Sequence, residues 1–273
     1  MDKDHTMELK KVMFRGQSNV GFKLTPSLGR RPSPTYANSL TTVEHQLIRF
    51  ARQKFPIQFS ETDHPVILLA KLQHYGVPTR MLDITENAFV ALYFACNNNE
   101  DVDGAVFVFE AELHSAYDPI ANAIADTYQL TENAVTPLEN YYFRALHRPY
   151  MTRWLYPEWE SDIGNGAKRF LSEVVQPLFI ETGYICERQK NQGGHFILFP
   201  NEIPESCMCV RDALITMGDE DKCIVKKIIV KKEAKREIIN QLKRFGISRE
   251  TLFSDSIDEV LKGVLEEQKS RYF

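Results

Sequence analysis

Three short stretches of this chain combine hydrogen-bonding and charged side chains with glycine or proline in patterns that suit a polar ligand. In Phe14-Arg15-Gly16-Gln17-Ser18 a short apolar run ends in an arginine, followed by a glycine and two small polar residues. A guanidinium at a strand end can offer its fork to a phosphate or a carboxylate. The glycine lets a ligand approach the backbone, and Gln17 adds a donor and an acceptor. The same arginine would serve equally well as a structural group bridged to a carboxylate inside the protein.

The second stretch is Gln73-His74-Tyr75-Gly76-Val77-Pro78-Thr79-Arg80-Met81-Leu82-Asp83-Ile84-Thr85. Thr79, Arg80 and Asp83 stand among Met81, Leu82 and Ile84. A charge in such apolar company must pair or bind something, because an isolated buried ion is prohibitively costly. Two accounts stay open. Arg80 pairs with Asp83 or a distant carboxylate and fixes the loop, or these polar groups face a ligand. The third stretch runs from Glu187 to Phe196. Gly193 and Gly194 before a strand indicate a bulge or a close backbone approach, with Gln192 and His195 at the strand mouth. Gln192 both donates and accepts, as a ribose hydroxyl or an amide requires. His195 is either a satisfied structural imidazole or a ligand group.

The standard machines for other chemistries are missing from the sequence. There is no phosphate-binding glycine loop with Lys-Ser/Thr, no nucleophile-elbow serine, no paired-histidine metalloprotease helix and no Rossmann glycine fingerprint. Cys207-Met208-Cys209 has one spacer where zinc knuckles need two to four, so no metal is expected. The five cysteines fit thiols in a reducing cytosol. With 33 basic and 37 acidic residues among 273, the net charge of −4 argues against a protein coated in positive charge for nucleic acid. The run from Lys222 to Arg249 is locally basic. It is a solvated helix face, or, if it borders the site, a mark of a nucleic-acid or nucleotide partner. No apolar run approaches the ~20 residues that cross a bilayer, and Met1 to His5 lacks the apolar stretch of a signal peptide. A cytoplasmic protein without a membrane partner is the expectation.

The elements that must position these residues follow from periodicity. Helices are expected from the capping box Thr41-Thr42-Val43-Glu44, from Asp63 to a stop at Gly76, from a Thr85 cap through Phe94, from Lys232 to Phe245, and from Ser256 onward. Strands are expected at Val12–Phe14, Ala105–Phe109, His195–Phe199 and Cys223–Val230. Leu113 to Glu173 reads as mostly helical and aromatic-rich. Helices early and late with strands between them give an α+β class, with a mixed or antiparallel sheet core and flanking helices.

Taken together, these stretches resemble the FRG domain family. Phe14-Arg15-Gly16 matches its first element. Leu72 to Thr85 with Ala91-Leu92-Tyr93-Phe94-Ala95 matches its central block, and Arg188, Gln192 and Phe196 match its third. The resemblance implies a single domain over 1–273, with a helical insertion or layer around 113–175. The order of the blocks is in turn similar to that of ADP-ribosyltransferases, which implies a split sheet and NAD as substrate. On that analogy Arg15 engages the pyrophosphate or ribose, helped by Gly16, Gln17 and His195. Thr79 reaches the nicotinamide-ribose region, Arg80 and Asp83 brace the pocket floor, and Gln192 stands where many transferases carry a glutamate. A glutamine cannot supply that negative charge. Either Glu187 or Asp83 acts in its place, or catalysis is weak, or the domain only binds a nucleotide. The implied acceptor is a nucleic acid or a protein, in a bacterial toxin or phage-defence setting. The alternative is a non-catalytic nucleotide-binding, nucleic-acid-binding or protein-interaction module.

Overall fold

The computed structural model describes residues 10–30, 40–131, 135–152, 163–204 and 206–253. Along the chain run β1 (Lys11–Gln17), α1 (Leu40–Lys54), α2 (Pro65–His74), β2 (Met81–Thr85), α3 (Ala88–Cys96), β3 (Gly104–Ala111) and β4 (Leu113–Ser115). Then come α4 (Pro119–Ala125), α5 (Thr127–Leu130), β5 (Val135–Pro137), α6 (Leu138–Leu146), α7 (Pro149–Thr152), α8 (Ile163–Val174) and β6 (Leu178–Glu181). The last elements are α9 (Glu187–Asn191), β7 (Gly194–Leu198), β8 (Cys209–Arg211), β9 (Ile224–Val230), α10 (Lys232–Arg244) and α11 (Arg249–Leu252).

The class is α+β. Seven strands form one mixed sheet in the order β4-β6-β7-β2-β1-β3-β9, and β5 pairs with β8 apart from it. All neighbours in the large sheet are antiparallel except β4 and β6. Strand alternation divides the core between two faces. Met81, Phe196, Leu198 and Ile180 pack with Val66 and Leu69 of α2 and with the helices of the 113–175 stretch. Met13, Leu82, Ile84, Phe107, Phe109 and Ile197 point the other way, where Leu24, Leu214 and Met217 cover them. The described part of the middle stretch is therefore a packed helical layer, with β4 at its start and β5 within it. Trp154, Trp159 and the helix expected from Ser256 lie outside the described residues.

Three local expectations change. Met81–Thr85 is not a loop leading into a helix but a strand at the heart of the sheet, between β7 and β1. Four of its five residues are buried, so the polar-apolar alternation that marks a half-exposed strand is missing. Thr41 and Glu44 do not form the expected capping box at the start of α1. The backbone N–H groups of Leu40 and Thr41 donate to the carboxylate of Asp212, at 2.8 and 2.9 Å, while Glu44 turns inward and is 1% exposed. The cap of α3 is Asn87, whose Oδ1 accepts from the N–H groups of Phe89 and Val90, and Thr85 instead accepts from the Asn87 N–H.

Most of α3 is apolar because it is enclosed, by β1 and β3 below and by Ile238, Ile239 and Leu242 of α10 above, while Ala88 and Phe89 at its start are exposed. Glycine sets how close it lies. A Cβ on Gly16 would stand 1.8 Å from the Ala91 carbonyl oxygen, and one on Gly104 would stand 2.2 Å from that of Ala95. Gly16 is thus required by strand–helix packing, a need that does not depend on a ligand.

Candidate functional site

β1 and β2 are neighbours with a single register pair, Phe14 with Thr85, and beyond it the two strands part. Arg15 stands opposite Phe107 of β3, and its guanidinium reaches into the gap, where Nη1 donates to the backbone carbonyl of Asp83. Beside this gap opens a cleft of about 230 Å³, bounded by β1, β2, β7, α2, α3 and α9. Phe14, Phe94 and Phe196 supply apolar wall, and Asp83 is the one carboxylate among the described lining residues.

Asp83 is the exposed residue of an otherwise buried central strand. Its orientation is fixed from α2: Gln73 Nε2 donates to Asp83 Oδ1 at 2.8 Å. The Gln73 amide is held in turn by Thr79, whose hydroxyl donates to Gln73 Oε1 and accepts the Met81 N–H at 3.1 Å. Thr79 is 1% exposed and does not line the cleft. It acts on Asp83 through Gln73.

Arg15 is half-buried, and its Nε is buried with no hydrogen-bond partner. Among the described residues no carboxylate lies within ion-pair distance of it. Burial pulls its pKa down to about 10, against the attraction of Asp83, and the neighbouring Arg30 adds to the depression. The group stays cationic at neutral pH, and a half-buried cation with an unfilled donor favours an anion beside it.

Gln192 lines the same cleft, one residue past α9. Its side-chain Nε2 donates to the Leu252 carbonyl at 3.0 Å, which ties α11 to the site, and its backbone carbonyl accepts from the Thr85 hydroxyl at 2.5 Å. The side-chain oxygen and the second N–H of the amide are left for a ligand. Gly16, Asp83, Arg15, Gln192 and His195 therefore border one cleft, whereas Gln17, Thr79 and Arg80 do not. Gln17 is 5% exposed and donates to the Lys23 carbonyl. Register pairs His195 with Ile84 and Phe196 with Asp83, so the imidazole leaves the sheet on the face opposite Asp83. Burial lowers the His195 pKa, with Glu181 and Glu86 opposing, and Glu86 Oε2 lies 3.8 Å from Nε2.

Arg80 resolves into the distant-carboxylate alternative. It is fully buried, bonded to Glu44 through Nε at 2.9 Å and Nη2 at 2.5 Å, and to Asn201 Oδ1 at 2.8 Å. It links α1, β2 and the segment after β7, and it has no access to the cleft.

Sequence reasoning overlooked several cleft residues. Gln73 and Arg188 line it, as do His74 and Cys186, whose Nδ1 and Sγ lie 3.2 Å apart. Arg188 also sits over the Phe253 ring at 4.6 Å. Among the described residues, no group of three or more potential ligands could hold a metal ion, and no helix is long and apolar enough to cross a membrane.

The model of the FRG domain family matches residues 10–104, a span that runs from just before β1 to the start of β3. That stretch supplies Arg15, Gly16, Gln73, His74 and Asp83, while Cys186, Arg188 and Gln192 enter the cleft from beyond it. No curated protein and no solved structure matches the chain.

Proposed function

We propose that this chain, with its FRG domain at 10–104, binds a nicotinamide nucleotide in the cleft and breaks the bond between nicotinamide and ribose, passing ADP-ribose to an acceptor. The bond from C1′ to the ring nitrogen breaks, its electron pair leaves with nicotinamide, and the acceptor's lone pair takes C1′ as the acceptor loses a proton. The observation that carries this reading is Asp83, a cleft-facing carboxylate on a buried strand, close to a guanidinium that lacks an ion partner. Charge-bearing groups fixed in advance where charge develops are often the largest catalytic contribution. Asp83 is placed to stabilise the cationic ribose centre, with Gln73 and Thr79 holding its geometry. Arg15 offers a donor to phosphate. Gln192 contributes an acceptor oxygen and no charge, so Asp83 takes the place that many transferases give to glutamate.

The cleft is smaller than the roughly 300–1,000 Å³ of pockets that enclose whole drug-sized ligands. It therefore takes one half of a dinucleotide while the other half lies outside. That size, with one N–H of the Gln192 amide committed to Leu252, also favours a second reading: a module that binds a mononucleotide and catalyses nothing.

Incubating the full chain with NAD and a mixture of protein and nucleic-acid acceptors separates the two readings. Nicotinamide release supports the first, and the acceptor that gains label identifies its class. Nucleotide binding without release supports the second. Neither binding nor release removes both.

A further inference from the structure

The cleft holds a thiol and an imidazole that the reading above leaves unused. Cys186 precedes α9, and His74 ends α2. Cys186 Sγ and His74 Nδ1 lie 3.2 Å apart, and Sγ is held from its other side by the Gln189 backbone N–H at 3.4 Å. Both residues line the cavity, and Cys186 is half-buried.

The other thiols have different surroundings. Cys96 is buried, and burial pushes its pKa up to about 11. Cys207 and Cys209 bond to backbone carbonyls at 3.7 and 3.0 Å, and burial raises the Cys223 thiol. Among the described residues, Cys186 is the one cysteine with an imidazole at hydrogen-bond distance. The thiolate is the nucleophile in thiol chemistry, and a neighbouring base that takes the proton promotes it. Cationic side chains border the same space: Arg15, with its buried and unpartnered Nε, and Arg188. Among the described lining residues Asp83 is the one carboxylate, and a reagent bearing carboxylates suits the unfilled Arg15 donor.

We propose that Cys186 is the reactive thiol of this protein and a modification site for small anionic disulfides of the glutathione type, which close the cleft by occupying it. The Cys186 proton passes to His74 Nδ1, and the thiolate attacks one sulfur of the disulfide. A new S–S bond forms as the old one breaks, and the departing thiolate takes the proton from His74. Two electrons move from the protein thiol to the released thiol, so the exchange needs no further oxidant. This site stands on its own geometry and does not require that the cleft bind NAD.

The test treats the full chain with glutathione disulfide in the absence of nucleotide and maps adducts by mass spectrometry over time. Cys186 is expected to be modified roughly tenfold faster than any other cysteine. Replacing Cys186 by Ser removes that fast adduct, and His74→Gln slows it towards the rate of Cys207. Should a His74 variant fail to fold, the wild-type pH profile of iodoacetamide labelling at Cys186 decides. Reaction persisting below the ordinary thiol range near ~8.5 supports the pair. If Cys207 reacts first, or if Cys186 labels with the pH profile of an isolated thiol, the proposal is overturned. A lack of nicotinamide release would leave these outcomes unchanged, so the two readings fail separately.

Discussion

Glu44→Gln strands the Arg80 guanidinium in the core. Arg80 is 0% exposed, and among the described residues Glu44 is its only charged hydrogen-bond partner, since Asn201 Oδ1 and the Phe199 carbonyl are neutral. Burial alone would lower the arginine pKa, and the attraction and hydrogen bonds of Glu44 more than reverse this, so the net direction is upward. Removing one partner of a buried pair costs about 3–5 kcal/mol. At roughly 2–4 °C per kcal/mol for a chain near this size, Tm should fall by about 6–20 °C. Thermal unfolding followed by circular dichroism, with a guanidinium titration alongside, reads the change directly. Adding Arg80→Met should restore only part of the loss, because Asn201 and Phe199 then keep acceptors without a donor. A Tm shift below about 2 °C would refute the structural role. So would an intact Tm with lost nucleotide binding, which would put Arg80 in the site after all.

Gly16→Ala should destabilise by about 1–3 kcal/mol or more, as a Tm loss independent of any ligand, because the added carbon meets backbone atoms of α3 that cannot swing aside. Arg15→Met should weaken nucleotide binding about tenfold to a hundredfold by calorimetry, the worth of one charge-assisted hydrogen bond. An unchanged affinity would move the anion elsewhere. Asp126, 0% exposed, has its carboxyl pushed up to about 6 by burial, with Arg148 and Tyr150 opposing. Because the folded value lies above the unfolded one, its contribution to stability is full below about pH 4 and is lost as pH rises through about 6. Asp126→Asn should therefore gain on wild type above pH 6, by on the order of 3 kcal/mol at most. The gain is reduced because Arg148, with Nε 2.7 Å from Asp126 Oδ2, loses its counter-charge. Denaturant titrations across pH 4 to 8 check the sign.

Elements with a clean period or a firm stop were legible in the sequence. α2 ends before Gly76 and α10 before Gly246, both with positive φ, and β3 keeps Phe107 and Phe109 on one face. Arg15, Asp83 and Gln192, which the resemblance groups with Thr79 around one ligand, border one cleft, but Thr79 does not line it. Contacts between distant positions were not legible. Thr41 and Glu44 have the spacing of a capping box, yet Asp212 caps the helix and Glu44 serves Arg80, partners 171 and 36 positions away. The Cys186–His74 contact spans 112 positions, and neither residue type predicts the other. β2 was hidden by its own burial. His195 borders the cleft, yet its ring leaves β7 on the face opposite Asp83, since one position along a strand decides which face a side chain meets.

The most direct measurement is the rate of nicotinamide release from NAD by the wild-type chain and by Asp83→Asn, with Tm recorded for both. Asparagine keeps the shape and an acceptor for Gln73 but removes the charge. The expected result is a rate lower by about 10²–10³, with Tm within about 2 °C because the side chain is exposed in the cleft. Equal rates from the two proteins, or no release from either at saturating NAD and acceptor, would contradict the assignment of Asp83 as the charge that drives this chemistry.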